Sequence, residues 1–331
     1  MTARAGLTEL ALLILVAALF VVSLLVGPAA IGLGATLDAL IGGDVETTGL
    51  IVREIRLPRA ILATMLGATL GLSGAVLQGY LRNPLAEPGV VGVTASAALG
   101  AVVAFYFGLS AMFALALPLG GIAGALIGVI IIQGLTGRHA GTLTVILAGV
   151  AITSLAGALT ALALNLAPNP FAAMEIMFWL MGSLADRSMD HVWLILPFLV
   201  LGWIMLLILA KPLDALTLGE ETAASLGVNL INLRRLAIVG TARSVGAVTA
   251  VAGAVGFVGL VVPHLLRPLV GHRPGRLLLA SMLGGAALVN AADIAVRVIV
   301  PERDLKLGVV TALIGAPFFF WLLLKSRRAG T

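Results

Sequence analysis

Residues 88–137 read PGVVGVTASAALGAVVAFYFGLSAMFALALPLGGIAGALIGVIIIQGLTG, with no acidic, basic or histidine side chain anywhere in the run. A bilayer crossing takes about 20 apolar residues, so this stretch is long enough for two membrane spans. The same reading extends outward along the chain. Apolar segments run from Leu10 to Leu37, Ala60 to Leu81, Gly141 to Met174 (one span and an extra-membrane piece), and Val192 to Ala210. Leu236 to Ala252, Gly253 to Val270, Leu277 to Val296 and Gly308 to Leu324 follow, bringing the expected total to ten.

Composition leads to the same class. Of 331 residues, 60% are hydrophobic and only 11% charged, too little polar surface to coat a water-soluble globule. That excludes a cytosolic enzyme with a membrane tail. The 40 glycines and 14 prolines suit close-packed, locally broken helices, whereas an outer-membrane barrel would show short alternating segments. With no cysteine, disulfides, thiolate metal sites and a cysteine nucleophile are excluded. The expected fold is an all-α polytopic membrane protein of about ten transmembrane helices, a single domain over residues 1–331. Arg4 followed by an apolar run resembles a secretory signal, but an uncharged length of about 28 residues exceeds the h-region of such signals and favours a retained span.

The net charge of +5 is read through its distribution. With ten spans, both termini share one side, and twelve Lys and Arg fall there against seven on the other, with Arg243 inside a span. The positive-inside rule makes both termini cytoplasmic, and nucleic acid is not needed to explain the charge.

Two Pro/Gly-broken segments stand on the cytoplasmic side. Arg82-Asn83-Pro84-Leu85-Ala86-Glu87-Pro88-Gly89 is one, and Val262-Pro263-His264-Leu265-Leu266-Arg267-Pro268 is the other. Proline frees a helical carbonyl, which membrane depth tolerates only beside protein or a watery path. Paired breaks suggest an internal repeat around a translocation pathway, the alternative being ordinary interhelical turns. The polar segment 211–235 holds Leu218-Gly219-Glu220-Glu221-Thr222-Ala223-Ala224-Ser225-Leu226-Gly227, a short amphipathic helix with an acidic start. It suits docking onto a soluble partner, or else lies on the lipid surface. Arg53, Arg56 and Arg59, with Arg297, lie on the outer side, where they would meet carboxylates of a docking protein or pair internally with Glu54, Asp293 or Asp304. Arg243 marks either a substrate path or a buried or snorkelling structural contact.

The four scattered histidines show no metal-ligand spacing, and no cofactor site is expected in this chain. No lysine follows a glycine, so there is no Gly-Lys-Ser/Thr phosphate loop, and no hydrolase constellation is present. The chain is expected not to be an enzyme; if transport is ATP-driven, another chain holds the ATP and magnesium.

Six blocks resemble the FecCD-type permeases, the membrane subunits of type II ABC importers for iron-siderophore, haem and cobalamin. They are Arg56-Leu57-Pro58-Arg59, Gly74-Ala75-Val76-Leu77-Gln78, Asn83 to Pro88, Leu218-Gly219-Glu220, Gly256 to His264 and Gly308 to Phe319. The resemblance implies a homodimer in the bacterial inner membrane with the pathway on its axis, two cytoplasmic ATPase subunits and an external substrate-binding protein. It implies ATPase coupling for Leu218, Gly219, Glu220, Ala224, Leu226 and Gly227, and binding-protein docking for Arg56, Arg59 and Arg297. Asn83, Leu85 and Thr142 match the cytoplasmic gate, although Leu143 stands where a second polar residue is sometimes found. Asp304-Leu305-Lys306 replaces the common Glu-Leu-Pro. The cargo expected first is an iron complex, siderophore-bound or haem, imported by alternating access; cobalamin is the alternative within the family, and an ion-coupled secondary transporter the alternative outside it.

Overall fold

A computed structural model describes residues 2–42, 47–113, 115–137, 141–299 and 305–329. The described chain is helical: α1 (Thr2–Leu25), α2 (Leu33–Ile41), α3 (Thr47–Leu50), α4 (Leu57–Leu81), α5 (Val93–Tyr106), α6 (Leu109–Met112), α7 (Ala116–Thr136) and α8 (Thr142–Asn165) form the first half. Then come α9 (Pro170–Leu180), α10 (Met189–Leu207), α11 (Ala210–Leu216), α12 (Glu220–Ser225), α13 (Leu230–Ala252), α14 (Val258–Val270), α15 (Pro274–Ile299) and α16 (Leu307–Ala329). A π-helical turn over Ile51–Arg56 joins α3 to α4, making one 35-residue rod from Thr47 to Leu81.

Among the described residues, seven helices are long and apolar enough to cross a membrane; Val93–Tyr106, Pro170–Leu180, Val258–Val270 and Leu307–Leu322 are shorter apolar pieces. Each of the ten expected spans has a helix, but the first ends sooner than expected. Pro28 has no N–H to give to the Leu24 carbonyl, so α1 stops at Leu25 and Leu33–Ile41 is a separate nine-residue helix. The run 88–137 divides as expected into α5 and α7, and Gly108 takes a left-handed φ of 71° at the junction. Past α8, Pro170 opens α9 while the Asn169 side chain accepts from Ala172 N at 2.9 Å, an N-cap that marks the expected extra piece.

Helix α4 is the buried axis of the bundle, and α15 is its principal neighbour. They approach through small residues: a Cβ on Gly67 would overlap the Gly285 backbone, and one on Gly71 the Ser281 carbonyl. Helices α1 and α8 are mostly exposed, as faces turned to lipid or protein would be.

The shortness of α5 and α14 has a geometric cause. Gly149, seven residues into α8, packs against the carbonyl of Val90, and Gly74, seven before the end of α4, packs against Gly259. At 1.5 Å rise per residue, both contacts lie about 10 Å inside the helix ends. The segment 82–92 therefore folds back into the bundle, and α5 and α14 both begin at that depth.

Candidate functional site

The first broken segment packs against the start of α14, the helix that carries the second. Helix α14 runs through Pro263 without stopping, and that proline has no N–H for the Gly259 carbonyl four residues earlier. The buried Gln78 side chain supplies the donor: its Nε2 donates to the carbonyls of Gly259 (3.2 Å) and Leu260 (3.4 Å). Its Oε1 accepts from Arg267 Nη2 at 2.8 Å, which fixes the amide orientation because the carbonyls can only accept and the guanidinium can only donate. From the other segment, Pro88 touches Gly259, and the Glu87 carboxylate accepts from the Phe257 backbone N–H at the start of α14. Phe257 holds a left-handed φ of 67°, and its ring packs on Gly315 of α16. Residues of four of the six sequence blocks thus meet at one buried node.

Gln78→Leu is expected to lower the thermal midpoint of the purified protein, because it orphans a buried carbonyl and a guanidinium, at about 1–3 kcal/mol per group. Adding Pro263→Ala restores an N–H for Gly259 and should recover part of the loss. A double variant no more stable than Gln78→Leu alone would refute the pairing.

Toward the end of the bundle that carries α12, the node connects to the polar segment. Arg82 caps α4 in the left-handed region (φ 49°), and Asn83 forms an Asx turn, its Oδ1 accepting from Leu85 N at 2.9 Å. Arg82 Nη2 lies 3.6 Å from Glu220 Oε1 in α12, an exposed pair that is weak in itself but joins the Asn-Pro-Leu turn to the Leu-Gly-Glu turn. Gly219 (φ 104°) and Gly227 (φ 87°) bracket α12 in conformations that suit glycine. Leu218 and Leu226 are each 63% exposed and Ala224 is exposed too, while Ala223 is buried as the anchor. Two exposed leucines flanking the short acidic helix form a compact knob. Leu85 is half-buried beside the turn; Thr142 opens α8 at its backbone, its side chain lying outside the described set, and Leu143 is exposed.

At the opposite end, the arginines are engaged internally. Arg59 binds Asp293 through Nη2 at 2.9 Å and Nε at 2.9 Å, and Arg297 Nη2 binds the same carboxylate at 3.0 Å; Asp293 is fully buried. Arg297 also donates to the Ser23 and Val26 carbonyls at 2.8 Å, and Arg56 to those of Leu24 (2.9 Å), Leu25 (2.8 Å) and Ala29. These are carbonyls of the last turn of α1 and of the residues just past it, including the one Pro28 leaves unpaired, where cations also complement the helix dipole. Arg56 is only 3% exposed. Arg56, expected at the docking face, has its charge turned onto the end of α1. Internal pairing, most natural for Arg53 on sequence grounds, instead describes Arg59 and Arg297, while Arg53 donates to the Ala39 carbonyl. On the same side, Arg187 Nε donates to the Val251 carbonyl at 2.7 Å; burial lowers its pKa from the usual arginine range, with Asp186 opposing the shift.

Arg243 lies 5.9 Å from the centre of the Phe198 ring, a cation–π contact between α13 and α10 that favours the structural reading. Lys306 sits similarly over Phe178 at 5.4 Å; Asp304 lies outside the described residues. Among the described residues no cluster of three or more acids and histidines could hold a metal. A cleft of about 450 Å³ between α5, α7 and α8 is lined by apolar side chains and glycines, with Ser96 its one polar side chain. Gln78, Arg267 and Asp293 were not among the expected site residues, although Pro263 at four beyond Gly259 and a lone aspartate inside a span both signal a need for a partner.

The sequence pattern of the FecCD transport family matches residues 13–325. The chain belongs to the FecCD transport family. Among relatives of this FecCD protein, the vitamin B12 import system permease protein BtuC of Klebsiella pneumoniae subsp. pneumoniae is 41% identical over 283 residues, 85% of this chain and 84% of that protein. The protein of the same name from Salmonella typhimurium is 42% identical over 281 residues, 84% of this chain and 85% of its own length. A solved metal-chelate type ABC transporter in an inward-facing conformation matches with a TM-score of 0.85 at 32% identity, over 96% of this chain and 98% of that one. This FecCD chain is a multi-pass ABC importer permease, which sets aside the ion-coupled secondary transporter.

Proposed function

We propose that this FecCD permease passes a cobalamin-class corrinoid across the bacterial inner membrane, with both termini cytoplasmic. The observation that carries the cargo is the name shared by its relatives, vitamin B12 import permease, at 41% and 42% identity over most of both chains. This replaces the iron complex expected first. A related reading, another metal chelate, is favoured by the name of the solved structure at 32% identity. Cobalamin is itself a ring-bound cobalt complex, so both belong to one chemical class of bulky metal chelates. The weakly polar cleft between α5, α7 and α8 suits such cargo, because tight polar contacts would hinder release.

The chain carries no ATPase of its own and binds no cofactor; two cytoplasmic ATPase subunits hold ATP and magnesium. They seat the α12 knob formed by Leu218, Gly219, Glu220, Ala224, Leu226 and Gly227. Movement of the knob pulls the Arg82–Glu220 contact, hence Asn83 and Leu85, with Thr142 completing the cytoplasmic gate. A second copy of the chain covers the exposed stripe of α8, which includes Leu147, Leu155 and Leu162, and places the pathway on the dimer axis. An external binding protein docks on the opposite face, where three guanidiniums against the single Asp293 carboxylate leave a positive field for acidic side chains.

The test is uptake in proteoliposomes holding the permease, its ATPase and its binding protein. ATP-dependent accumulation of cyanocobalamin is the expected result; uptake of haem or a ferric siderophore in its place would sink the cargo assignment. Glu220→Lys combined with Leu226→Ala should cut uptake more than tenfold and release the ATPase on purification. Normal uptake with the ATPase retained would refute the coupling role.

A further inference from the structure

Between the last turn of α7 and the first turns of α13 lies a pocket of about 130 Å³. Gln133, Thr136, Arg234, Arg235 and Ile238 line it, and no acidic side chain is among its lining residues. The Thr136 hydroxyl is committed to the Ile132 carbonyl at 2.8 Å, so the polar character comes from the Gln133 amide and two guanidiniums. The helix termini do not decide the sign: the N-terminal end of α13 and the C-terminal end of α7 carry opposite half charges of about 0.5 that offset each other. The full positive charge of Arg235, exposed at the pocket's rim, decides it.

What lies beside the pocket narrows the ligand. Leu126, Ile130, Gln133 and Gly137 repeat at intervals of four, three and four, so they form one stripe along α7. Ile130 is 70% exposed and Leu126 39%, and the stripe rises from the pocket toward the middle of the span. The site therefore has a cationic foot at the membrane boundary and an open apolar track leading away from it into the bilayer. A free anion needs only the foot. A diester phosphate carrying acyl chains uses both.

We propose that this pocket binds the phosphate headgroup of an anionic glycerophospholipid, with an acyl chain laid along Leu126 and Ile130. Arg235, exposed at the rim, supplies the contact to the phosphate, and the buried Arg234 lines the same pocket. Basic pockets between helices at this level are suited to anionic lipid, each arginine contributing about 1 kcal/mol near the surface, or roughly a fivefold change in affinity. The proposal is independent of the cargo and of the ATPase assignment.

The full chain, purified and delipidated in detergent, is titrated with phosphatidylglycerol, with phosphatidylcholine and with inorganic phosphate, reading the thermal midpoint and the lipid retained in native mass spectra. Phosphatidylglycerol should raise the midpoint and remain bound, and the other two should do neither. Arg235→Gln, whose exposed position leaves the lipid-free midpoint unchanged, should weaken the phosphatidylglycerol response about fivefold, whereas Arg235→Lys keeps it within twofold. An equal response to phosphatidylcholine, an equal response to inorganic phosphate alone, or an undiminished phosphatidylglycerol response in Arg235→Gln would each overturn the assignment.

Discussion

Gly71→Val is expected to leave little folded protein in the membrane. At this position, the α4 backbone lies directly against the Ser281 carbonyl of α15, so an added Cβ would fall inside the contact radius of a backbone oxygen. A flexible side chain could move aside, but two rigid helices cannot part locally. Gly67 and Gly74 make the same kind of approach, to Gly285 and Gly259, so α4 is held on both sides and cannot shift to relieve one contact without worsening another. The cost is therefore placed at the upper end of overpacking penalties, about 3 kcal/mol or more. The measurement is the yield and thermal midpoint of detergent-purified protein. Gly134→Ala in α7, where nothing lies within 4 Å of the added atom, serves as the control and should melt at or above the parent temperature, since alanine favours helix by about 1 kcal/mol. A Gly71→Val protein that melts like the parent would show that the α4–α15 seam is looser than described.

Asp293→Asn is the second substitution with a large expected effect. Its carboxylate is fully buried and neutralises Arg59 and Arg297, whose side chains are only 17% and 8% exposed. Removing the charge leaves two guanidiniums facing each other with no counterion among the described residues, and breaking a buried pair in this way costs about 3–5 kcal/mol. Arg297 is also a donor to the end of α1, so its displacement should loosen that helix as well. Protease sensitivity of the α1–α2 connection, followed beside the thermal midpoint, separates this from a global effect. Combining Asp293→Leu with Arg59→Met removes one cation along with the anion and should be less damaging than Asp293→Asn alone. If Asp293→Asn leaves both readouts unchanged, the aspartate does not hold this corner together.

How far these features could be read from the residues depends on how local their cause is. The spans were legible because 20 apolar residues without a charge have few uses other than crossing a bilayer. The division of 88–137 into two was legible from length alone, but not the shortness of α5, which follows from the segment 82–92 packing against Gly149 and Gly259 far along the chain. The end of the first span is set by Pro28, whose missing N–H is hidden within a longer apolar run. That Pro263 frees a carbonyl is plain from the sequence, yet its compensating donor, Gln78, lies 185 positions earlier and only the fold brings it near. Likewise Asp293 was a visible candidate for pairing with the outer arginines, while the second task of Arg56 and Arg297, capping α1, needed the three-dimensional path of that helix. The geometry of α12 was the most legible part of this region, since its bracketing glycines, acidic start and exposed leucines all lie within ten residues.

The Gln78–Pro263 arrangement also constrains the order in which this protein can change. While proline stands at 263, glutamine at 78 is under strict requirement; once another residue supplies the missing N–H, position 78 is partly released. Drift can pass through the pair in one direction at low penalty, by changing 263 first, and is blocked in the other. The two positions should therefore behave as a ratchet in laboratory evolution, with losses at 78 surviving only in lineages that have already lost the proline.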